Sequence, residues 1–416
     1  MMCVLFLLLQ KLSKDYIVRC HYYQEIRSGD LSYYGIVMER CKCNLAQYVM
    51  EQELRPLSNN RPLLKSFTLQ LLLAYDAIHK ENICHRDVKP ENVLVIERGG
   101  TPPKLKLCDF EHSKVFDIEG RTLMHTQVGT CNQHGCWWAP DLFHPAAQLT
   151  VADDETTGNG GYRRAADIWP LGCILHFMAT DGKHKLFCAQ KLDHVDVWVN
   201  ASKGLVAEAH DDRDKRIAAI QKSDIHTTNF MMYDLIEKLV RPAAPPDATL
   251  IDRESLFRWR LTDVIAHPAL WSSAAICRII TEFSNLILEN TPKTYQLRIA
   301  LKTAQGFSNW PSELEKKSHK ANRELKIIFE NTVKLNCPTL MKTPGNMVLL
   351  MRALRNIIQH CSTVVSESAM DDLSRTFADQ VVAVFPTLMP MLFEKTSRFG
   401  TWTLDNGMPN FEWNQN

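Results

Sequence analysis

The octapeptide His85-Arg86-Asp87-Val88-Lys89-Pro90-Glu91-Asn92 sets a carboxylate, an ammonium and a carboxamide on one short loop. Phosphoryl transfer needs those functions: a carboxylate to orient the attacking hydroxyl, a lysine near the transferred phosphate, and oxygen ligands for Mg²⁺. Asp87, Lys89 and Asn92 supply them, and Asp109 in the run Leu107-Cys108-Asp109-Phe110-Glu111 supplies a second carboxylate for the metal. Chance gives polar loops easily. It seldom gives this whole octapeptide followed by Asp109-Phe110 and then Trp137-Trp138-Ala139-Pro140-Asp141.

A second set lies far downstream, in the stretch Asn346 to Cys361. On a helix, Met347, Leu350, Met351, Leu354, Ile358 and Cys361 recur at spacings of three and four and form a core face. Asn356 and His360 are i,i+4 neighbours on the other side, flanked by Arg352 and Arg355. A histidine with an ordinary pKa near ~6.5 exchanges protons around neutrality. It can therefore protonate a leaving 5′-oxygen, while arginine holds a phosphate whose charge is growing and asparagine orients phosphate or ribose. That is the equipment for cutting RNA with its own 2′-hydroxyl, and it calls for no metal. A solvated helix face with an incidental histidine has the same composition, so the helix alone does not decide.

These residues must be held by a sizeable fold. The chain has 416 residues, 45% of them hydrophobic, enough for two or three buried cores. The net charge of +1 gives no global attraction to nucleic acid, so a phosphate or RNA site must be a local patch. Thirteen cysteines without regular spacing read as reduced thiols. Cys131 and Cys136 flank His134, a conceivable zinc loop that chance explains better. The opening Met1 to Gln10 is apolar but much shorter than the ~20 residues of a spanning helix. It lacks a charged leader and reads as a core element, so no membrane contact and a cytoplasmic location are expected.

Residues 16–39 read as extended segments around a Gly29-Asp30 turn. A helical period then leads to the loop, and Val93 to Phe110 looks like a hairpin turning on Gly99-Gly100 and Pro102-Pro103. Ala165 to Thr180 reads as a strongly apolar helix. From Ser272 onward the pattern is helical, with no strand alternation.

The first half resembles the C-terminal lobe of eukaryotic protein kinases, on the octapeptide, Asp109-Phe110, Ala139-Pro140-Asp141 and Asp167-Ile168-Trp169. The resemblance implies Asp87 and Lys89 as catalytic residues and ATP or ADP with Mg²⁺ on Asn92 and Asp109. It makes Met38 the gatekeeper, with Glu39 to Cys41 facing adenine. Asp167 becomes a buried brace for the loop, and Asp141 a partner of Arg258. Arg86 would receive a phosphate placed on the segment 109–140, which holds Ser113, Thr122, Thr126 and Thr130. Three departures lower the expected phosphoryl transfer. The first glycine is Gly29, which leaves no match for the family's glycine-rich loop, and no acidic residue precedes Asp15. Glu111 stands where the family has a glycine, and should resist the backbone angles that glycine allows.

The second half resembles the kinase-extension nuclease domain of the inositol-requiring-enzyme family and of ribonuclease L, carried by Arg352-Ala353-Leu354-Arg355-Asn356, His360 and Phe385-Pro386. That resemblance implies Arg355, Asn356 and His360 as the ribonuclease site and a stem-loop RNA as substrate. It also implies a homodimer, no cofactor for the nuclease, and a place in an unfolded-protein response. The family's tyrosine has no match: its place falls near Met341-Lys342, and the last tyrosine is Tyr295. Lys316 to Lys326 is a candidate phosphate contact, or a solvated face.

The expected fold is α+β: residues 1–48 a remnant of the kinase N-lobe and hinge, 49–271 a mainly helical kinase-like C-lobe, 272–395 an all-α nuclease extension, and 396–416 a tail. Two rival readings stay open: a serine/threonine kinase with an unrelated helical tail, and a non-catalytic pseudokinase scaffold.

Overall fold

The computed structural model describes residues 15–28, 31–51, 56–115, 160–182, 225–241, 258–289, 291–313, 345–364, 367–405 and 408–414. The chain divides into two compact units, residues 1–265 and 266–416.

In the first unit, β1 (Cys20–Ser28) and β2 (Leu31–Met38) form an antiparallel hairpin, as the two extended segments foretold. A second, three-stranded sheet has the order β3 (Cys43–Asn44), β5 (Val93–Ile96), β6 (Lys104–Leu107), all antiparallel. The segment before β1 is tied to this sheet. Val18 donates its N–H to the Leu107 carbonyl at 2.9 Å, and Leu107 donates to the Tyr16 carbonyl at 2.8 Å. The expected hairpin over 93–110 is β5–β6, with Gly100 in the left-handed region at φ +81.

Helix α1 (Leu45–Met50) follows β3, and the long helix α2 (Arg61–Lys80) carries the weight of this core. Asn60 caps α2 by accepting the Leu63 N–H, and Pro62 sits in the first turn, where a missing N–H costs nothing. Leu64, Phe67, Leu71, Leu72, Tyr75 and Ile78 are buried at helical spacing. Burying each contributes roughly 1.5–3 kcal/mol. The helix stops at Asn82, whose φ of +57 ends the α-helical run. The strand β4 (Ile83–Cys84) then leads directly into the loop and pairs with β7 (Lys114–Val115).

Helix α3 (Gly160–Ala179) is the apolar helix of the sequence, and residues Asp167 to Ala179 are all buried. It packs on α4 (Phe230–Leu239) through Gly172, where a Cβ would come within 2.7 Å of Val240 Cγ1 and 2.9 Å of Leu239 Cβ. Helix α5 (Leu261–Val264) closes the described part of the unit.

The second unit contains α6 (Ser273–Leu286), α7 (Pro292–Lys302), α8 (Met347–Val364), α9 (Glu367–Val384) and α10 (Leu388–Thr396). Helix α6 packs on α8 and α9, and α7 packs on α8 and α10. Among the described residues no single helix is long and apolar enough to cross a membrane.

Two expectations need correction here. Strands do occur after residue 272: β8 (Gly400–Asp405) and β9 (Met408–Trp413) form a hairpin in the stretch read as a tail. Its aromatic side chains explain why. Trp402 stacks on Phe283 at 5.5 Å and meets Trp271 at 5.1 Å and Phe411 at 5.0 Å. Its indole N–H donates to Thr396 Oγ1 at 2.9 Å. Arg278 adds a bond to the Pro409 carbonyl, and Lys293 one to the Asn414 carbonyl at 2.7 Å. The sequence carried a signal for the hairpin: Trp402 and Leu404 alternate with Thr401, Thr403 and Asp405, and Asn406-Gly407 is a two-residue hairpin-turn pair. The second correction concerns α8. Its buried stripe is Met347, Leu350, Met351, Ala353, Leu354 and Ile357, so Ile357 replaces Ile358 and the face is wider than a strict three-four pattern.

Trp402→Ala should therefore destabilise the second unit by about 3–5 kcal/mol. Thr403→Ala, exposed on the same strand, should stay within about 0.5 kcal/mol of wild type. Urea unfolding followed by tryptophan fluorescence and circular dichroism measures both. Equal midpoints for the two variants would show that the hairpin is not part of the core.

Candidate functional site

The loop His85 to Asn92 is fixed from behind by one carboxylate. Asp167 of α3 is 0% exposed. Its Oδ2 accepts the His85 N–H at 2.8 Å and the His79 Nε2–H at 2.9 Å, and its Oδ1 accepts the Arg86 N–H at 2.8 Å. Burial works to raise the Asp167 carboxyl, but the His79 bond and charge, His85 and the Arg86 N–H outweigh it and hold the carboxyl below its ordinary value. Two successive N–H groups can point at one side chain only if the backbone bends sharply, and Arg86 does so at φ +67. That conformation is costly for a residue with a Cβ, and it puts Asp87 on the far side of the loop from Asp167.

Asp87, Lys89 and Asn92 come together there. Lys89 Nζ donates to Asp87 Oδ2 at 2.6 Å, and Asn92 Nδ2 donates to the same oxygen at 2.8 Å and to the Asp87 carbonyl at 2.9 Å. All three residues are buried, so the carboxylate plane is set by charge-assisted bonds in a low dielectric. His85 completes the frame as a neutral ring. Its Nε2–H donates to the Cys108 carbonyl at 2.9 Å, and its Nδ1 accepts the Asp87 N–H at 3.4 Å. Burial pushes its pKa down, against the pull of Asp167 and the Cys108 carbonyl.

Asp109 is reached through Asn92. The Cys108 N–H donates to the Asn92 carbonyl at 3.0 Å, which holds the start of the Asp109-Phe110-Glu111 run beside the loop. Phe110 is buried against His85, with ring centroids 4.7 Å apart, while Asp109 is exposed. The Cys108 thiol is pushed up to about 12, first by burial and then by Asp109. The expectation for Glu111 is corrected by the backbone. Among the described non-glycine residues the left-handed conformation is taken by Asn82, Arg86, Asp109 and Asp181, and Glu111 is not one of them. Asp109, at φ +59, bears the strain, and the Glu111 carboxylate pairs with His112 at 3.2 Å.

The hinge residues have a partner that the sequence did not announce. Glu39 Oε1 accepts from Lys106 Nζ at 2.5 Å and from the Arg19 N–H at 2.8 Å, and the Glu39 N–H donates to the Arg19 carbonyl at 2.8 Å. Burial favours the protonated Glu39, but Lys106, the Arg19 N–H and Arg98 hold its carboxyl below the ordinary range. The chain from Glu39 to Cys41 is thereby tied to β6, two residues before Cys108. Cys41 is half-buried, its thiol pushed up by burial and by Glu39, and Met38 is exposed. The signal for Lys106 was a lysine inside the strand Lys104-Leu105-Lys106-Leu107, where a buried cation demands a carboxylate. The signal for His79 was a histidine at the end of α2, six residues before His85.

Arg86 also has a buried Nη1 without a hydrogen-bond partner among the described residues. Ser113, read as a site for a phosphate, is buried, and its hydroxyl donates to the His85 carbonyl at 3.5 Å. Thr122, Thr126, Thr130, Asp141 and the loop of Cys131, His134 and Cys136 lie outside the described residues. Arg258 donates to the Arg241 carbonyl at 2.8 Å and lies 5.5 Å from the Trp169 ring centroid.

In the second unit, α8 carries Arg352, Arg355 and Asn356 off its core stripe: Arg352 is exposed, the other two half-buried. Arg355 Nη1 donates to Asn356 Oδ1 at 3.1 Å, and the Arg355 Nε is buried with no partner among the described residues. His360 lies on the same helix, four residues after Asn356; its side chain is outside the described residues, as are Met341, Lys342 and the run Lys316 to Lys326.

Residues 6–243 match the protein kinase domain family. Along most of its length the chain is similar to the sensor for unfolded proteins in the ER of Schizosaccharomyces pombe, with 24% identity over 88% of this chain and 32% of that protein. It is similar also to the serine/threonine-protein kinase/endoribonuclease of Hypocrea jecorina, with 25% identity over 93% of this chain and 30% of that protein. The rice protein of the same description, from Oryza sativa subsp. japonica, is 29% identical over 40% of this chain and 18% of its own length. The chain thus spans about a third of the length of the first two relatives.

Asp167→Ala should cost the first unit about 3–5 kcal/mol, the usual price of breaking a buried charged cluster by removing one member. The pH dependence has a definite sign. The folded pKa of Asp167 lies below its unfolded value of about 4. Its contribution is therefore fully present above that value and is lost as pH falls through the lowered folded pKa. Urea midpoints at pH 7 and across the acid range test this. A wild type and an Asp167→Ala variant that lose stability in parallel below pH ~4 would contradict it.

Proposed function

The chain belongs to the protein kinase domain family, and from that premise we propose that its kinase-like unit binds ATP or ADP with Mg²⁺ and is coupled to an RNA-cutting unit. This reading assigns it to the kinase–endoribonucleases, working in the response to unfolded proteins on stem-loop RNA, as a homodimer. One observation carries it. The Arg355–Asn356 pair, half-buried and off the core stripe of α8, stands in a chain similar to a kinase/endoribonuclease over 93% of its residues.

In the first unit the residues fit a magnesium nucleotide. Asn92 uses its Nδ2 twice on Asp87, which turns its Oδ1 to serve, with Asp109, as an oxygen ligand of the kind a hard cation takes. Held by Asn92 and Asp109, a Mg²⁺ ion would supply charge neutralisation to the phosphates. Asp87 orients an incoming hydroxyl, and Lys89, already paired with Asp87, faces the transferred group. Glu111 adds negative charge beside Asp109, which weakens the hold on nucleotide phosphates and opposes their transfer. The lobe then acts chiefly as a nucleotide-sensing platform.

In the second unit the 2′-oxygen of a ribose attacks the adjacent phosphorus and the bond to the 5′-oxygen breaks. His360 supplies the proton to that leaving oxygen. Arg355 holds the non-bridging oxygens as charge builds, through guanidinium N–H groups not used on Asn356. Asn356, steadied by Arg355, orients the ribose. The product ends are a 2′,3′-cyclic phosphate and a 5′-hydroxyl.

A second reading, a scaffold with neither activity, has its own support in Glu111 and in the lack of a tyrosine after Tyr295.

Two outcomes test the proposal. Cleavage of a labelled stem-loop RNA should rise faster than linearly with protein concentration. His360→Ala and Asn356→Ala should each lower it about a hundredfold or more, in line with loss of a general acid, while circular dichroism stays unchanged. Persistent cleavage by His360→Ala would remove the nuclease assignment. With radiolabelled ATP, Mg²⁺ and a generic protein substrate, wild type should bind nucleotide yet show no turnover that Asp87→Asn abolishes. Strong Asp87-dependent transfer would restore the kinase reading.

A further inference from the structure

Helix α7 shows two stripes. Thr294, Leu297 and Leu301 are buried. On the other side Tyr295, Arg298, Ile299 and Lys302 follow at i, i+3, i+4 and i+7, one surface row of a helix. Tyr295 is 52% and Ile299 45% exposed, and with Leu288 they are the large exposed hydrophobic side chains of the second unit among its described residues. The Arg298 guanidinium lies over the Tyr295 ring, 5.4 Å from its centroid. The helix sequence contains Lys293, Arg298 and Lys302 and no acidic residue. It packs directly on α8, the helix of Arg355 and Asn356.

We propose that this row docks an unpaired stretch of RNA. An aromatic ring with a guanidinium stacked on it offers two planes on which any base can stack, and stacking of this kind needs no particular sequence. Arg298 and Lys302 provide cations for the flanking phosphates, spaced along the same row. Charge separates this occupant from a second copy of the chain. A self-associating helix face would repeat its own cations across the interface, whereas a phosphodiester strand complements them. The inference rests on the reading of the second unit as an RNA-cutting unit, and supplies what Arg355 and Asn356 lack: a grip on the strand away from the scissile bond. Tyr295 and Lys302 act in binding, and the cut itself stays with α8.

The test is fluorescence anisotropy of the full chain with a single-stranded RNA made resistant to cleavage by 2′-O-methylation. Tyr295→Ala should weaken binding about tenfold, and Tyr295→Trp should keep it, because stacking is the interaction removed and restored. Arg298→Gln and Lys302→Gln should each lower the slope of log affinity against log salt by about one. If wild type binds RNA and all α7 variants bind it equally, the docking row is wrong while the nuclease reading stands. If the α7 variants instead abolish self-association in sedimentation velocity and leave RNA affinity unchanged, the row is a protein interface and the proposal falls. If wild type binds no RNA, both fall together.

Discussion

The first unit depends on one buried carboxylate. Asp167 receives hydrogen bonds from His79 at the end of α2 and from the N–H groups of His85 and Arg86, and so links two helices to the loop between β4 and β5. A bond to a charged group is worth about 1.5–3 kcal/mol, enough to offset the left-handed backbone of Arg86. Everything on the working side of the loop follows from that bend: the meeting of Lys89 and Asn92 on Asp87 Oδ2, the neutral His85 ring against Phe110, and the path from Asn92 to Asp109. Removing the carboxylate would leave buried N–H groups unsatisfied and the bend unsupported, so the site and the fold share one anchor.

Much of this was legible in the residues. Strands β1 and β2, the β5–β6 hairpin and the helices α2 and α3 lie where the sequence put them: α2 by its buried helical stripe, α3 by its strongly apolar run, and the hairpins by their extended segments and turn residues. Asp87, Lys89 and Asn92 meet because a short loop gives them little room to part. Other features depend on contacts between residues far apart in the chain. The pairing of Glu39 with Lys106 joins residues 67 positions apart, so a lysine inside β6 announces the need for a carboxylate but not which one. The β8–β9 hairpin seats Trp402 among aromatic residues from α6 and α10, and its alternating Trp402 and Leu404 before Asn406-Gly407 are a local signal that the helical reading of the region passes over. Glu111 illustrates the opposite hazard. The glycine it replaces suggested strain at that position, yet the chain places the left-handed residue at Asp109 instead.

The two halves of the chain solve different chemical problems with different means. The loop of the first unit buries its charged groups and fixes them by mutual bonds, which suits a site that must hold a nucleotide in one pose. Helix α8 exposes Arg352 and leaves Arg355 and Asn356 half-buried, which suits the proposed meeting with a large, charged substrate arriving from water. The local basic character of α7 and α8 resolves the puzzle of a chain whose net charge is only +1. On the proposed reading, attraction for phosphate is concentrated on a few helix faces and is diluted by acidic residues elsewhere.

The central claim is that the α8 face cuts RNA through the 2′-hydroxyl. The chemistry of the cut ends tests it most directly. Stem-loop RNA incubated with the full chain in a chelator, then analysed by mass spectrometry, should yield fragments ending in 2′,3′-cyclic phosphate and fragments beginning with 5′-hydroxyl. Fragments carrying 3′-hydroxyl and 5′-phosphate ends, or cleavage that disappears with the chelator and returns with Mg²⁺, would contradict the account.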